Sequence, residues 1–310
     1  MTEKIPMDSI APKPHSDKFL LAVGCCVFSH LMFAIMSATA KGLSETHHVA
    51  EIAFYRNLIA VVPFFLFLIL TRRQRYFKTE RPLLVLFRAG IGSISLIVSY
   101  AAISMLPMSY ATVLFFTSSL MAPMMAHFIL KEKIGIHRWA AIFIGMSGVF
   151  IIAQPSGAVS MMGLCLAIIA ATLHAMMYTA LRVLRHESPI TVTFYFVLAG
   201  MVIPGLAMPW IAHTPTADQI PYFLLLGVSG GLAQLSLSMA YKYAAVSLIT
   251  PFAYTALLWS VLFDVFIWHY ELNYTAVFTG AFIILCAQLY IIYREYVRKV
   301  QKNKISMIDK

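Results

Sequence analysis

The chain has 310 residues, 60% of them hydrophobic and 12% charged, with a formal charge of +10 and a mean hydropathy of +0.80. Soluble domains carry about 25% charged residues, so too few are present here to cover a water-facing surface, and the chain reads as an integral membrane protein. The basic excess does not point to nucleic acid, because the Lys and Arg residues fall between hydrophobic runs rather than along one face, as membrane topology requires.

Residues 1–18 are polar and hold Pro6, Pro12 and Pro14, with no small-residue cleavage site after the first apolar run, so the first helix is expected to be retained. A helical span takes about 17–25 mostly apolar residues. Spans are predicted over Phe19–Ala40, Ile52–Leu70, Leu83–Leu106, Ser109–Leu130 and Trp139–Gln154. A second set covers Met161–Leu181, Ile190–Ala212, Ile220–Tyr241, Ala244–Trp268 and Tyr274–Tyr293. Cys25, Cys26, Cys165 and Cys286 all lie in apolar runs without metal-ligand spacing, which suits buried free thiols.

Charge then orients the spans. With the N-terminus inside, the cytoplasmic segments hold Lys4, Lys13 and Lys18, the run Arg72 to Arg81, Lys131, Lys133 and Arg138, Arg182 and Arg185, Lys242, and the tail from Arg294 to Lys310. The opposite side holds Lys41 alone, while Arg56 and Arg88 fall inside helices. That asymmetry obeys the positive-inside rule across all ten spans, and both termini are expected in the cytoplasm.

An odd number of spans per half makes the second half enter the membrane upside down. Ile52-Ala-Phe54-Tyr55 recurs as Val192-Thr-Phe194-Tyr195, Pro63 is answered by Pro204, Glu132 by Glu271, and Ala141 and Gly148 by Gly280 and Ala287. The expected fold is therefore an all-α polytopic membrane protein of ten transmembrane helices in two inverted five-helix repeats. Its parts are a cytoplasmic tail over 1–18, repeats over 19–154 and 155–293, and a basic cytoplasmic tail over 294–310.

These residues resemble the drug/metabolite transporter superfamily, and within it the ten-helix EamA-type carriers. The marks are Glu51…Phe-Tyr-Arg56, Leu106-Pro107…Pro123…Lys131-Glu132, and Pro251-Phe-Ala-Tyr254…Trp259…Glu271. The second and ninth helices look most like the branch of S-adenosylmethionine and riboflavin carriers. Two departures are an alanine, Ala253, where relatives often carry an acidic residue, and Asp264 where they carry a small one. The resemblance implies a small amphiphilic metabolite, such as S-adenosylmethionine or an amino acid, carried across a bacterial inner membrane.

Several side chains could serve such a site. Arg56 lies about 7 Å along its helix from the outer edge of the span, at 1.5 Å per residue. It either snorkels to the interface or anchors a substrate carboxylate or phosphate, which guanidinium binds in a bidentate way. Arg88 reads as a snorkelling or topology residue. Tyr100, Ser118, Tyr178, Gln234, Tyr254 and Trp259 are candidate lining residues, since aromatic polar groups deep in a span need a partner or a wet surface. Asp264, the one acidic residue well inside a predicted helix, is a candidate for proton coupling or gating, its protonated form closing against neighbouring helices and its ionised form favouring an open, hydrated state. His30 and His174 are the titratable candidates beside it. His47-His48 with Glu51 lacks a third ligand for zinc. Pro63, Pro123, Pro204 and Pro251 are candidate hinges.

No Walker-type loop is present, so ATP is not the direct energy source; a proton gradient or exchange is expected, with no cofactor. The expected partners are a small-molecule substrate and the lipid bilayer, with a homodimer left open and no nucleic acid. An intramembrane lipid-modifying enzyme would need clustered His, Asp or Glu at one membrane side, and a structural membrane protein would need no internal polar groups. In a cysteine-free version, a cysteine at position 217 should react with an impermeant thiol reagent added outside intact cells, and one at position 75 should not. The opposite labelling overturns the topology.

Overall fold

The structure, a computed structural model, describes residues 16–71, 78–130, 136–152, 160–184, 187–243 and 252–308. Pro251, Glu132, Lys131, Lys133 and Arg185, with Arg72, Arg73 and Arg75, lie outside the described residues, as do the side chains of Pro123, Arg138, Arg182 and Lys242. Eleven helices are described, and no strand. Ten are long: α1 (Ser16–Leu43), α2 (Val49–Thr71), α3 (Pro82–Met105), α4 (Met108–Leu130), α5 (Ile136–Ile152), α6 (Met161–Val183), α7 (Pro189–Gly205), α8 (Ile220–Tyr243), α9 (Thr255–Phe266) and α10 (Tyr274–Ile308). The eleventh is a single turn, Met208–Ile211.

Helix is the form these segments must take, because hydrocarbon offers no partner to an unpaired backbone group. Five of the helices, including Phe19–Leu43 of α1 and Pro82–Met105 of α3, are long and apolar enough to cross a bilayer, and four shorter apolar helices accompany them. Leu83, Phe143, Phe150, Trp210 and Phe282 stay more than half exposed. In water that would be an aggregation hazard; in a bilayer it is the lipid-facing surface.

The most extensive helix pairings obey an exchange rule. Replacing each helix by its counterpart five places along turns the contact of α1 with α8 into that of α6 with α3, and the contact of α2 with α8 into that of α7 with α3. The contact of α1 with α9 likewise becomes that of α6 with α4, while α2 with α7, α4 with α9 and α5 with α10 map onto themselves. All three self-paired couples run antiparallel. Along α2, Phe54, Asn57 and Phe65 meet Gly205, Gly200 and Phe194 in turn. Along α4, Ser109, Thr112 and Phe116 meet Asp264, Ser260 and Tyr254. Along α5, His137, Gly145 and Gly148 meet Tyr290, Ala287 and Gly280. The fold is thus two inverted five-helix repeats, as the sequence predicts.

Small residues set the closest crossing. A carbon side chain at Gly148 would lie 2.8 Å from the Gly280 carbonyl oxygen, and one at Gly145 would lie 2.2 Å from Leu120 Cδ1. Helices in lipid gain little from apolar burial against one another, so such close backbone approach supplies the attraction. The main core is shared by α3 to α6 with α9 and α10, through Leu106, Val113, Leu120, Val149, Leu257 and Ile284 among others. A second cluster, including Met36, Ile52, Tyr100 and Leu226, joins α1, α2, α3 and α8.

Two predicted spans differ from those observed. The seventh, expected over Ile190–Ala212, ends at Gly205 with Pro204 in its last turn, and the chain resumes as the Met208–Ile211 turn. Its counterpart Pro63 sits inside an unbroken α2. The ninth, expected over Ala244–Trp268, shows a turn at Tyr254 and regular helix from Thr255 to Phe266 among its described residues. Helix α10 continues through the basic tail to Ile308.

Substituting Gly148 by Ala should destabilise the protein by about 1–3 kcal/mol through overpacking. At Gly231 a side-chain carbon would meet nothing within 4 Å. Ala there should be neutral or stabilising by up to about 1 kcal/mol. Thermal unfolding in detergent separates the two; equal melting temperatures would show that α5 and α10 do not pack this closely.

Candidate functional site

Two faces of the bundle carry the connections that matter. On the first, α3 and α4 are joined by only Leu106 and Pro107. A helix end leaves about four carbonyls or N–H groups unpaired, and side chains from elsewhere meet them here. Lys41, near the end of α1 and 5% exposed, donates through Nζ to the carbonyls of Ile103 (2.7 Å) and Leu106. Asp264 of α9, fully buried, accepts from the Met108 N–H (2.8 Å), the Ser109 N–H (2.7 Å) and the Ser109 hydroxyl (2.6 Å). The cation thus meets the negative end of α3 and the carboxylate the positive end of α4, each in its favoured place. Trp268 and Tyr270 close over Lys41 Nζ at 5.6 and 5.4 Å. His269 turns the chain between them with a left-handed φ of 51°, uncommon outside glycine and asparagine.

A second linkage lies on the same face. His47 Nδ1 is 3.2 Å from Glu51 Oε2, and its Nε2 is 2.9 Å from Gln219 Oε1. The other carboxylate oxygen of Glu51 accepts from the His213 N–H. These bonds tie the α1–α2 connection to the segment before α8. The opposite face is joined by Glu187, whose Oε1 accepts from the Thr79 hydroxyl (2.6 Å) and from the N–H groups of Glu80 and Arg81. The Thr79 hydroxyl bond, helped by the two N–H groups, holds the Glu187 carboxyl below the usual carboxylate range. Beside it is a cavity of about 300 Å³ lined by Glu80, Arg81, Val183, Leu184 and Glu187.

Between the faces lies Arg56. It is 3% exposed, so it does not snorkel to the interface. Its Nη1 donates to Asn57 Oδ1 at 2.7 Å, and Asn57 Nδ2 in turn donates to Ala53 O and to Gly200 O across the α2–α7 crossing. Its Nε rests against Gly230 of α8, where a side-chain carbon would come within 2.8 Å. Tyr100 of α3, 2% exposed, is its electrostatic neighbour. The residue equivalent to Arg56 in the second repeat is Phe196, whose ring rests on Gly92 of α3 at the same 2.8 Å. Arg88 covers that ring at 4.9 Å and donates to the Val192 carbonyl, which corrects the snorkelling reading of Arg88.

The other candidates are scattered. Gln234 lies on α8 one turn beyond Gly230, on the same helix face. His174 packs edge-on to Phe115 and stacks on Tyr178, which is 47% exposed. His30 places Nδ1 2.8 Å from the Cys26 carbonyl of its own helix. Tyr254 leans on Phe116 and, with Leu257 and Phe282, lines a groove of about 520 Å³ between α9 and α10. Trp259 on α9 keeps its indole N–H without an acceptor, and Ser118 is buried on α4. The structure therefore groups Arg56 with Tyr100, and His174 with Tyr178, and leaves Asp264 on the first face.

As a carboxylate Asp264 can accept all three bonds, and protonation would remove an acceptor site at the start of α4. Asn57 and Gly230 were missed by sequence reasoning, and Lys41, noted as the lone basic residue of the outer side, was read only as a topology charge.

Comparison with known proteins agrees with this architecture. The chain is 27% identical over 293 residues to an S-adenosylmethionine uptake transporter of Rickettsia bellii, covering 93% of this chain and 98% of that one. It is 30% identical over 244 residues to a riboflavin transporter of Vibrio cholerae, covering 75% and 80%. A solved crystal structure shares the fold with a TM-score of 0.59 at 15% identity, over 89% of this chain and 96% of the other. The EamA-like transporter family matches twice, over residues 20–154 and 161–293, the same two units that the antiparallel helix pairs relate, and the chain belongs to that family of membrane transporters.

Proposed function

We propose that the protein is a secondary transporter of the bacterial inner membrane that moves a small amphiphilic metabolite by alternating access. The observation that carries this reading is the set of side-chain bonds that join the two repeats on the α3–α4 face. Among the described residues, buried Asp264 bonds Ser109 there and part-buried His47 meets Gln219. With both termini cytoplasmic, that is the outer face, and these bonds support an outward-closed state. Rocking one repeat against the other about the α2–α7 and α4–α9 pairs would exchange the open side. The relatives point to an adenosine-bearing amino acid or a flavin as the substrate, and other amino acids are the next class to examine.

Asp264 is the proposed proton-sensitive latch. Protonation from the outer water would release the Met108 and Ser109 N–H groups, opening the outer side where protons are supplied. His174, which faces aromatic rings rather than a backbone carbonyl, is the better second proton site of the two histidines. Purified protein in proteoliposomes should show saturable uptake of S-adenosylmethionine, riboflavin or another member of an amino-acid panel, with no ATP. Absence of uptake and of counterflow throughout would sink the reading. Asp264→Asn should abolish the dependence of uptake on a pH gradient and expose a cysteine at position 112 to an outside thiol reagent, while exchange partly survives. Unaltered gradient-driven accumulation in this variant would leave Asp264 as a helix cap only.

A further inference from the structure

We infer that Arg56 and Tyr100 form an anion seat that takes the carboxylate of the substrate, so that the cargo is an acid rather than a neutral ring compound. The inference rests on the transporter reading above and names the substrate class for the same interior.

The geometry leaves the guanidinium unfinished. Arginine offers five N–H donors, and the one described hydrogen bond, to Asn57 Oδ1, is to a neutral amide. Nε–H has no acceptor, although Arg56 is 3% exposed. The nearest acid in sequence, Glu51, accepts from the His213 N–H and lies 3.2 Å from His47 Nδ1. Asn57 is itself fixed by the Ala53 and Gly200 carbonyls, so it aims the guanidinium and cannot neutralise it. The phenol of Tyr100, an electrostatic neighbour of Arg56, is 2% exposed and its hydroxyl also has no partner. Two buried donors without acceptors therefore face a common interior between α2, α3 and α8.

A buried cation without a counter-charge costs several kcal/mol, and an anion that arrives with the substrate would remove that cost. The Nε/Nη2 edge of a guanidinium matches the two oxygens of a carboxylate side-on. In this structure Gly230 lies against that edge, since a side-chain carbon there would sit 2.8 Å from Nε, 3.2 Å from Nη2 and 2.9 Å from Met36 Sδ, so a carboxylate reaches the edge when α8 moves away from α2. The inverted repeat supplies an internal control. At the equivalent seat the glycine, Gly92, is kept and the occupant against it is the Phe196 ring, with the Arg88 guanidinium over the ring, so only the first seat sets a guanidinium edge against its glycine.

The chemistry separates the cargoes named for the two relatives, because S-adenosylmethionine carries an α-carboxylate and riboflavin carries none. The test is ligand-induced thermal stabilisation of the purified full chain. The probes are S-adenosylmethionine, S-adenosylhomocysteine, methylthioadenosine (which lacks the amino-acid group), riboflavin, its phosphate ester FMN, inorganic phosphate and the twenty amino acids. Stabilisation by carboxylate-bearing probes, with none from methylthioadenosine or riboflavin, is expected; response to FMN and phosphate alone would assign the seat to phosphate. Arg56→Lys should weaken the best probe by about tenfold or more, because the side-on fork is lost. Tyr100→Phe should weaken it by less. A second readout needs no ligand: Arg56→Met should melt no lower than the parent protein, since it removes an unpaired buried charge. Lower melting of Arg56→Met, unaltered affinity in Arg56→Lys, or no response of the parent protein to any acid overturns the inference. Riboflavin uptake insensitive to Arg56 would overturn it while the transporter reading stands.

Discussion

A backbone group inside a bilayer has no water to turn to, and the shortest connection in this chain is where that constraint presses hardest. Leu106 and Pro107 alone separate α3 from α4, so unpaired carbonyls and unpaired N–H groups are exposed side by side. Lys41 meets the first set and Asp264 the second. Because the two residues come from α1 and α9, satisfying one turn fastens four helices, and it joins the first repeat to the second. Capping and domain closure are here the same set of bonds. A conformational change that parts α9 from α4 must therefore replace these bonds with water or with protons.

The duplicated architecture has filled its two equivalent seats differently. Equivalent glycines, Gly230 and Gly92, receive the equivalent residues of α2 and α7, and the two seats have diverged to guanidinium and phenyl. The second seat is completed by Arg88, which covers the ring and bonds the Val192 carbonyl. The first has Asn57 beside its guanidinium instead, and Nε of each arginine is left without an acceptor.

Much of the fold was legible in the sequence, because bilayer thickness fixes span length and the positive residues mark one side. The repeat could be read from Phe54-Tyr55 against Phe194-Tyr195 and from Pro63 against Pro204. The site was legible only in part. Arg56 stood out as a charge in an apolar run, but whether it reached the interface depended on its rotation about α2, which a uniformly apolar helix does not reveal. Lys41 looked like a topology charge, since a lysine at a helix end reads the same whether it faces water or bonds carbonyls 62 and 65 residues away. Asp264 was found for its rarity, yet the sense of its action depended on the N–H groups of Met108 and Ser109. The turn at Tyr254 was hidden because it lies within a mostly apolar stretch.

The closures on the two faces also differ in their contact with solvent. Asp264 and Glu51 are fully buried, whereas Glu187 meets Thr79, Glu80 and Arg81 at partly exposed positions. Dissolved ions screen charges over about 8 Å at physiological ionic strength, but act far less on groups held away from water. Added salt therefore reaches the Glu187 charge and leaves the buried carboxylates nearly untouched. Ionic strength acts on one junction of the two repeats and not on the other.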